Sequence, residues 1–234
     1  MLLESLASRD AYISEILDLE KPHIDMLCPM CQSKQGLFRC KDCFSRRVLC
    51  RDCCLLVHQE SPFHFIEKWT GSFFQATSLN EEGFTLNLCH DGVSCPGSNP
   101  EAETQNTQAG TQGTGGGTQE TKAGTQGAQQ PAGDKKCLVV VDVSGVHQLQ
   151  IGWCRCKDAP AADIQLLRRR LFPASISNPS TAFTFGLLNH FYIDSVKCKT
   201  SALSFFSKLR RLTNDSDPDS VPVCLLVFHI CTSI

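Results

Sequence analysis

Apolar residues recur at close to helical spacing at the start of the chain. Leu2, Leu3, Leu6, Ile13, Ile16 and Leu17 predict a helix within the segment 1–25. Pro22 stops it, because the residue before a proline avoids helical geometry. A second clear pattern lies far downstream. Residues 138–143, Leu-Val-Val-Val-Asp-Val, predict a strand, and Ser144-Gly145 a turn. From Val146 to Trp153, Val146, Gln148, Gln150 and Gly152 alternate with His147, Leu149, Ile151 and Trp153. Two such runs across a short turn predict a β-hairpin. Ile164, Leu167 and Leu171 predict a short helix that ends before Pro173. Ser180 reads as the cap of a helix carrying Phe183, Leu187, Leu188 and Phe191, and Ser201 as the cap of a last helix with Phe205, Leu209 and Leu212.

Between these blocks the pattern vanishes. Residues 98–136 hold no aromatic or branched apolar side chain, and Gly, Gln and Thr supply 22 of the 39 positions. Such a segment buries too little to offset its ordering entropy and is expected to be disordered. Thr-Gln pairs recur at 104, 111, 118 and 125, but no apolar residue occupies a seam, so the seven-residue period is not a coiled coil. The repetition suggests an expanded short DNA repeat. Residues 215–234 break from what precedes them and read as an apolar stub too short for a membrane span. The chain thus divides into an N-terminal helix (1–25), a cysteine/histidine-rich module (26–97), the insert (98–136), a hairpin with helices (137–214) and the stub. The expected fold class is α+β.

Composition sharpens this picture at one residue type. Fifteen of the 234 residues are cysteine, and seven of these fall between Cys28 and Cys54. Glu4 and Arg9 interrupt any apolar core at the N-terminus, so no secretory signal is expected there. In a reducing compartment, dense cysteine pairs read as metal ligands rather than disulfides.

The spacing is Cys28-x2-Cys31, x8, Cys40-x2-Cys43, x6, Cys50-x2-Cys53, x4, His58, x5, His64. Four pairs offer eight ligands, enough for two tetrahedral zinc ions, because a two-residue gap lets a tight turn aim both sulfurs at one metal. An iron–sulfur cluster is disfavoured by the terminal histidines, and thioredoxin-like chemistry by the missing strand–helix context. Cys54 is surplus and reads as a small buried hydrophobe. Closed four-ligand sites leave no open position, so such zinc is structural, contributing on the order of 10 kcal/mol of folding energy per ion. The pairs can be taken sequentially (Cys28, Cys31, Cys40, Cys43, then Cys50, Cys53, His58, His64). They can also be interleaved, first with third and second with fourth. A third set, His90, Cys95, Cys154 and Cys156, is a further candidate, with Cys89 and His147 as alternates; the hairpin would bring its two halves together across the insert.

The pair spacing with terminal histidines resembles a B-box, which implies the interleaved grouping. Downstream residues point to a more specific family. Leu49-Cys-Arg-Asp-Cys53, His58, Pro62-Phe-His64, Ile66-Glu67, Trp69 and Gly71-Ser-Phe-Phe74 resemble the cysteine-cluster domain that accompanies fungal KDZ transposases. So do Leu88-Cys-His90 with Cys95-Pro96, Gly145-Val-His147, Trp153-Cys-Arg-Cys156, residues 165–174, residues 181–185 and residues 211–214. The likeness covers about residues 10–97 and 137–214, split by the insert. It implies a nuclear, transposon-derived zinc module placed before an RNase H-like catalytic domain, which the remaining chain is too short to contain. Asp142 resembles the first acid of such a domain, but the acids that follow it, Asp158, Asp163 and Asp194, are expected on helices and loops. No enzyme activity is expected.

Charge suggests a partner. The chain as a whole is near neutral, at a net −2, but residues 34–51 carry six basic residues against Asp42 alone. Lys41, inside the second pair, and Arg46 and Arg47, between the second and third, are the candidate phosphate contacts to DNA. Arg168, Arg169 and Arg170 extend the possibility. The alternative is a protein-interaction module using Phe63, Phe65, Trp69, Phe73 and Phe74. No membrane or small-molecule partner is expected.

Overall fold

The computed structural model describes residues 2–20, 27–98 and 137–222. The expectations of disorder for the insert and of an apolar stub beyond residue 222 lie outside the described residues. Helix α1 spans Leu2–Glu20. The module that follows is a small sheet of β1 (Phe38–Cys40), β2 (Ile66–Trp69) and β3 (Phe74–Thr77), antiparallel throughout, with helix α2 (Arg51–Val57) between β1 and β2.

A larger sheet is built from both sides of the insert. Its strands are β4 (Thr85–Asn87), β5 (Cys137–Asp142), β6 (Gly145–Gly152), β7 (Leu171–Pro173) and β8 (Thr181–Thr184), ordered β4-β6-β5-β8-β7. The hairpin β5–β6 forms with Asp142 opposite Gly145 and Leu138 opposite Leu149. Strand β4 adds to β6 in parallel, Leu86 beside Ile151, so chain from before the insert completes the sheet made after it. Helices α3 (Ala162–Arg168), α4 (Phe185–Cys198) and α5 (Ala202–Thr213) complete the fold.

The alternation along β6 explains the layering. Val146 points into one core with Val141, Phe183, Leu187, Phe205, Phe206 and Leu209, where α4 and α5 cover the sheet. Leu149, on the opposite face, joins Leu138, Val140, Leu166 and Ala182 in a core continuous with Cys28, Phe38, Leu49, Ile66 and Phe84 of the smaller module. The sheet is therefore sandwiched, and the cysteine-rich module is one of its covers.

Two predicted helices are corrected. The first ends at Arg168; Arg170 takes a left-handed φ of 59°, which breaks the helix, and Leu171, itself buried, begins a strand opposite Thr184. The second does not start at Ser180. Thr181–Thr184 are all buried and pair between β5 and β7, so neighbouring strands override the local helical spacing. The cap passes to Thr184, whose side chain accepts from Leu187 N at 3.1 Å. Ser201 caps α5 as predicted, accepting from Ser204 N. The start of the supposed stub is also revised: residues 215–222 fold back on α5, with Val221 buried and Arg210 Nε donating to Pro218 O at 2.7 Å. Among the described residues no helix is long and apolar enough to cross a membrane.

Candidate metal centres

Each Cys-x2-Cys turn is shaped by its own backbone. In the second, Cys40 Sγ accepts from the N–H groups of Asp42 (3.4 Å) and Cys43 (3.3 Å). In the first, Gln32 takes a left-handed φ of 52° and its N–H donates to Cys28 O at 2.8 Å, curling the loop so that both sulfurs face one point. The third opens α2, with Cys50 at its N-cap and Cys53 in the first turn.

The ladders then decide which pairs meet. Leu49 exchanges backbone hydrogen bonds with Phe38, and Cys28 N donates to Lys34 O, which together draw Cys50 beside the first turn. Cys40 pairs with Ile66, and Lys41 N donates to Phe65 O, which draws His64 beside the second turn. The result is interleaved. Cys28, Cys31, Cys50 and Cys53 form one group and Cys40, Cys43, His58 and His64 another, with the donor atoms of each within 4.8 Å of one another. Helix α2 is the strut between them: eight residues from Cys50 to His58 advance about 12 Å at helical rise.

Secondary contacts orient the histidines. His58 is buried and its Nδ1–H donates to Cys54 O at 2.7 Å, leaving Nε2 3.7 Å from Cys43 Sγ. His64 presents the other nitrogen, with Nδ1 3.5 Å from Cys40 Sγ and 3.4 Å from Cys43 Sγ. Cys54 packs in the core, outside both groups.

A third group joins the two halves of the larger sheet. Cys89, His90, Cys95 and Cys154 bring their donors within 4.8 Å of one another. Cys156 also arrives, its Sγ 3.5 Å from His90 Nε2 and 3.7 Å from Cys95 Sγ. Cys154 Sγ is 3.8 Å from the same His90 nitrogen. His90 and Asp91 both hold left-handed φ angles, 50° and 53°, and Asn87 Nδ2 ties the bend by donating to Gly92 O at 2.8 Å. Strain of this kind at non-glycine residues collects at functional sites. Of the two alternates, Cys89 belongs to this group, whereas His147 sits on β6 against Phe65. Cys89 is thus a donor rather than an alternate by position, and its place beside His90 is the sequence signal for it.

The thiols are unevenly poised. Hydrogen bonding to Ser33 lowers Cys31 to about 6, and the Arg155 N–H lowers Cys95 to about 5. Burial opposes ionisation of Cys28, but N–H groups of Cys50, Cys31 and Met30 outweigh it and its pKa falls. Burial pushes Cys40, Cys53 and Cys89 up to about 12. A divalent cation at the centre of a group would deprotonate the coordinating thiols outright.

The basic stretch divides on folding. Lys34 pairs with Asp52, and Arg51 with Glu82. Arg39 is held by Glu67 (2.7 Å) and Glu20 (2.5 Å) over the ring of Phe74. Lys41, Arg46 and Arg47 are exposed, and among the described residues no ion pair involves them. Phe44, between them, is fully exposed. Arg169 is tied to Leu88 O at 3.0 Å. Of the five aromatics offered as a contact surface, only Phe73 is exposed; Phe63 and Phe65 pack on His147, and Trp69 on Phe74. Asp142 accepts from Ser144 and from Thr184, the latter at 2.7 Å, and so braces β5 against the start of α4.

These features define a small α+β protein organised around cysteine/histidine groups that can hold metal ions. More particularly, residues 117–217 match the family of the CxC2 like cysteine cluster associated with KDZ transposases. The match includes Cys154 and Cys156 of the third group and leaves the first two groups outside it. No curated protein and no solved structure matches the chain.

Proposed function

We propose that the chain is a non-catalytic, transposon-derived module of the nucleus, held together by structural zinc in a B-box-like cross-brace, that binds DNA. Zinc suits the donors. A tetrahedral ion with metal–sulfur bonds of about 2.3 Å separates its ligands by about 3.8 Å, somewhat less where a nitrogen replaces sulfur. The Cys31–Cys50 separation is 3.8 Å and the sulfur–nitrogen separations of the second group run from 3.4 to 3.7 Å. Four protein donors leave no position for water or substrate, which supports a structural rather than a catalytic metal.

The observation that carries the DNA reading is the selective freedom of Lys41, Arg46 and Arg47. Neighbouring cations are neutralised by carboxylates, while Lys41 in the second turn and Arg46 and Arg47 on the loop between that turn and α2 are exposed and make no ion pair among the described residues. Clustered, solvated cations suit phosphates, which position a protein without reading sequence. The test is duplex binding by fluorescence anisotropy across a salt series. Arg46→Ala with Arg47→Ala weakens binding evenly across sequences and reduces the salt slope by up to about two units. No binding at low salt, or no effect of the double substitution, overturns the reading.

A second reading, protein–protein contact, is favoured by α1. Tyr12, Ile13, Ile16 and Leu17 are each 47–63% exposed on this helix. An association insensitive to salt and lost on deleting residues 2–18 would support it over DNA binding.

A further inference from the structure

The third group holds one donor more than a tetrahedral ion needs. Cys89, His90, Cys95 and Cys154 form a complete set of four within 4.8 Å. His90, Cys95, Cys154 and Cys156 form another, with separations of 3.5, 3.7 and 3.8 Å that match a tetrahedron's edges. We propose that this centre exchanges its fourth ligand, with His90, Cys95 and Cys154 constant and Cys89 and Cys156 alternating on one zinc ion. The inference rests on the zinc reading above.

Both candidate sulfurs lie beside the same three donors: Cys89 within 4.8 Å of His90, Cys95 and Cys154, and Cys156 3.5 Å from His90 Nε2 and 3.7 Å from Cys95 Sγ. Zinc has no geometric preference from its d-electrons, so either cysteine could complete the set of four. Were Cys89 to replace Cys156, the incoming thiol would give up its proton and the displaced thiolate would take one, so one histidine and three cysteines would hold the ion in either arrangement and its charge would be unchanged. The first two groups lack this option: each has four donors, and Cys54, the remaining cysteine nearby, lies against His58 Nδ1, which is turned to the Cys54 carbonyl. The third group is also the more open. His90 is exposed, Cys89, Cys154 and Cys156 are half-buried and only Cys95 is buried, whereas in the first group Cys28, Cys50 and Cys53 are buried and only Cys31 is exposed. Its metal is the one the protein surrenders first to a competing chelator, loosening the junction between Leu88-Cys89-His90 and the end of β6.

Zinc counting by mass spectrometry of the full chain under non-denaturing conditions tests the exchange. The wild type is expected to hold three ions, one for each of the three donor groups. Cys89→Ser and Cys156→Ser each still hold three, and the double variant and Cys95→Ser hold two. Loss of an ion from either single variant overturns the proposal by making that cysteine an obligatory ligand. Three ions in the double variant overturn it by removing both from the site. A wild type holding two overturns the third zinc itself, which separates failure of the site from failure of the exchange. Cadmium-113 spectra of the wild type guard against misfolded variants. An exchange-broadened third resonance that sharpens in Cys89→Ser is expected, and a sharp line unchanged by that substitution overturns the proposal.

Discussion

The ring of Phe65 stacks on His147, with centroids 4.7 Å apart and planes 29° from parallel. The contact joins the cysteine-rich module to the hairpin, because Phe65 immediately follows His64 and His147 lies on β6. Ser144 closes the same junction, its hydroxyl 3.0 Å from His147 Nε2 and 2.9 Å from Phe63 O. The metal groups and the sheet therefore form one packed unit across this face.

His147 makes stability sensitive to mild acid. Burial lowers its pKa from 6.5 to about 4, against the opposing pull of Asp142 and Asp42; His64 lowers it further. The folded value is depressed, so the neutral ring is favoured in the fold. The contribution is complete above pH 6.5 and is lost as pH falls toward 4. Between pH 7 and 5.5 the unfolded chain takes up a proton the folded chain refuses, which costs about 1 kcal/mol. Urea midpoints at the two pH values should show the wild type losing about that much more than His147→Gln. Metal-ligand protonation affects both alike, so equal losses would place the proton elsewhere.

Interleaving predicts an asymmetric response to the loss of one ligand. Cys31→Ser should disturb Cys28, Cys50 and Cys53, its group partners, and spare Cys40, Cys43, His58 and His64 at first. Cysteine Cβ chemical shifts follow this directly. Movement at Cys40 and Cys43 with Cys50 and Cys53 unchanged would instead require the sequential grouping.

Gly145 is a junction without room. Its φ is 147°, and an added Cβ would lie 2.6 Å from Thr213 Oγ1 and 3.0 Å from Phe65 Cζ. Gly145→Ala should cost about 2 kcal/mol by equilibrium unfolding. Adding Thr213→Ala should not restore wild-type stability, because Val146 N also loses its 2.8 Å bond to that hydroxyl. A neutral Gly145→Ala would refute the close approach.

Arg39 ties α1 to the small sheet. Its guanidinium donates to Glu20, Glu67 and Leu19 O and covers Phe74 at 3.9 Å. Glu67 is 14% exposed at its side chain, so Arg39→Met strands a largely buried carboxylate and should destabilise the module by about 3 kcal/mol. Amide exchange should rise near Leu19 while metal content holds. An unchanged exchange pattern would mean that α1 docks by other contacts.

The sequence by itself determined what depends on near neighbours. Cys-x2-Cys pairs are legible because their turns are closed by their own N–H groups, as at Cys40. The hairpin is legible because alternation across Ser144-Gly145 has one economical pairing, and Ser201 because a cap acts within one turn. Tertiary structure alone decided what depends on distant partners. Whether Cys31 meets Cys40 or Cys50 follows from the bridge between Phe38 and Leu49, a hydrogen-bond ladder with no local code. Thr181–Thr184 became a strand rather than a helix because β5 and β7 supplied backbone partners on both sides. Cys89 became a donor because β4 lies parallel to β6, carrying the residues after it to the end of that strand, where Cys154 and Cys156 wait. Local spacing fixes which donors travel together; burial and strand pairing fix where they converge.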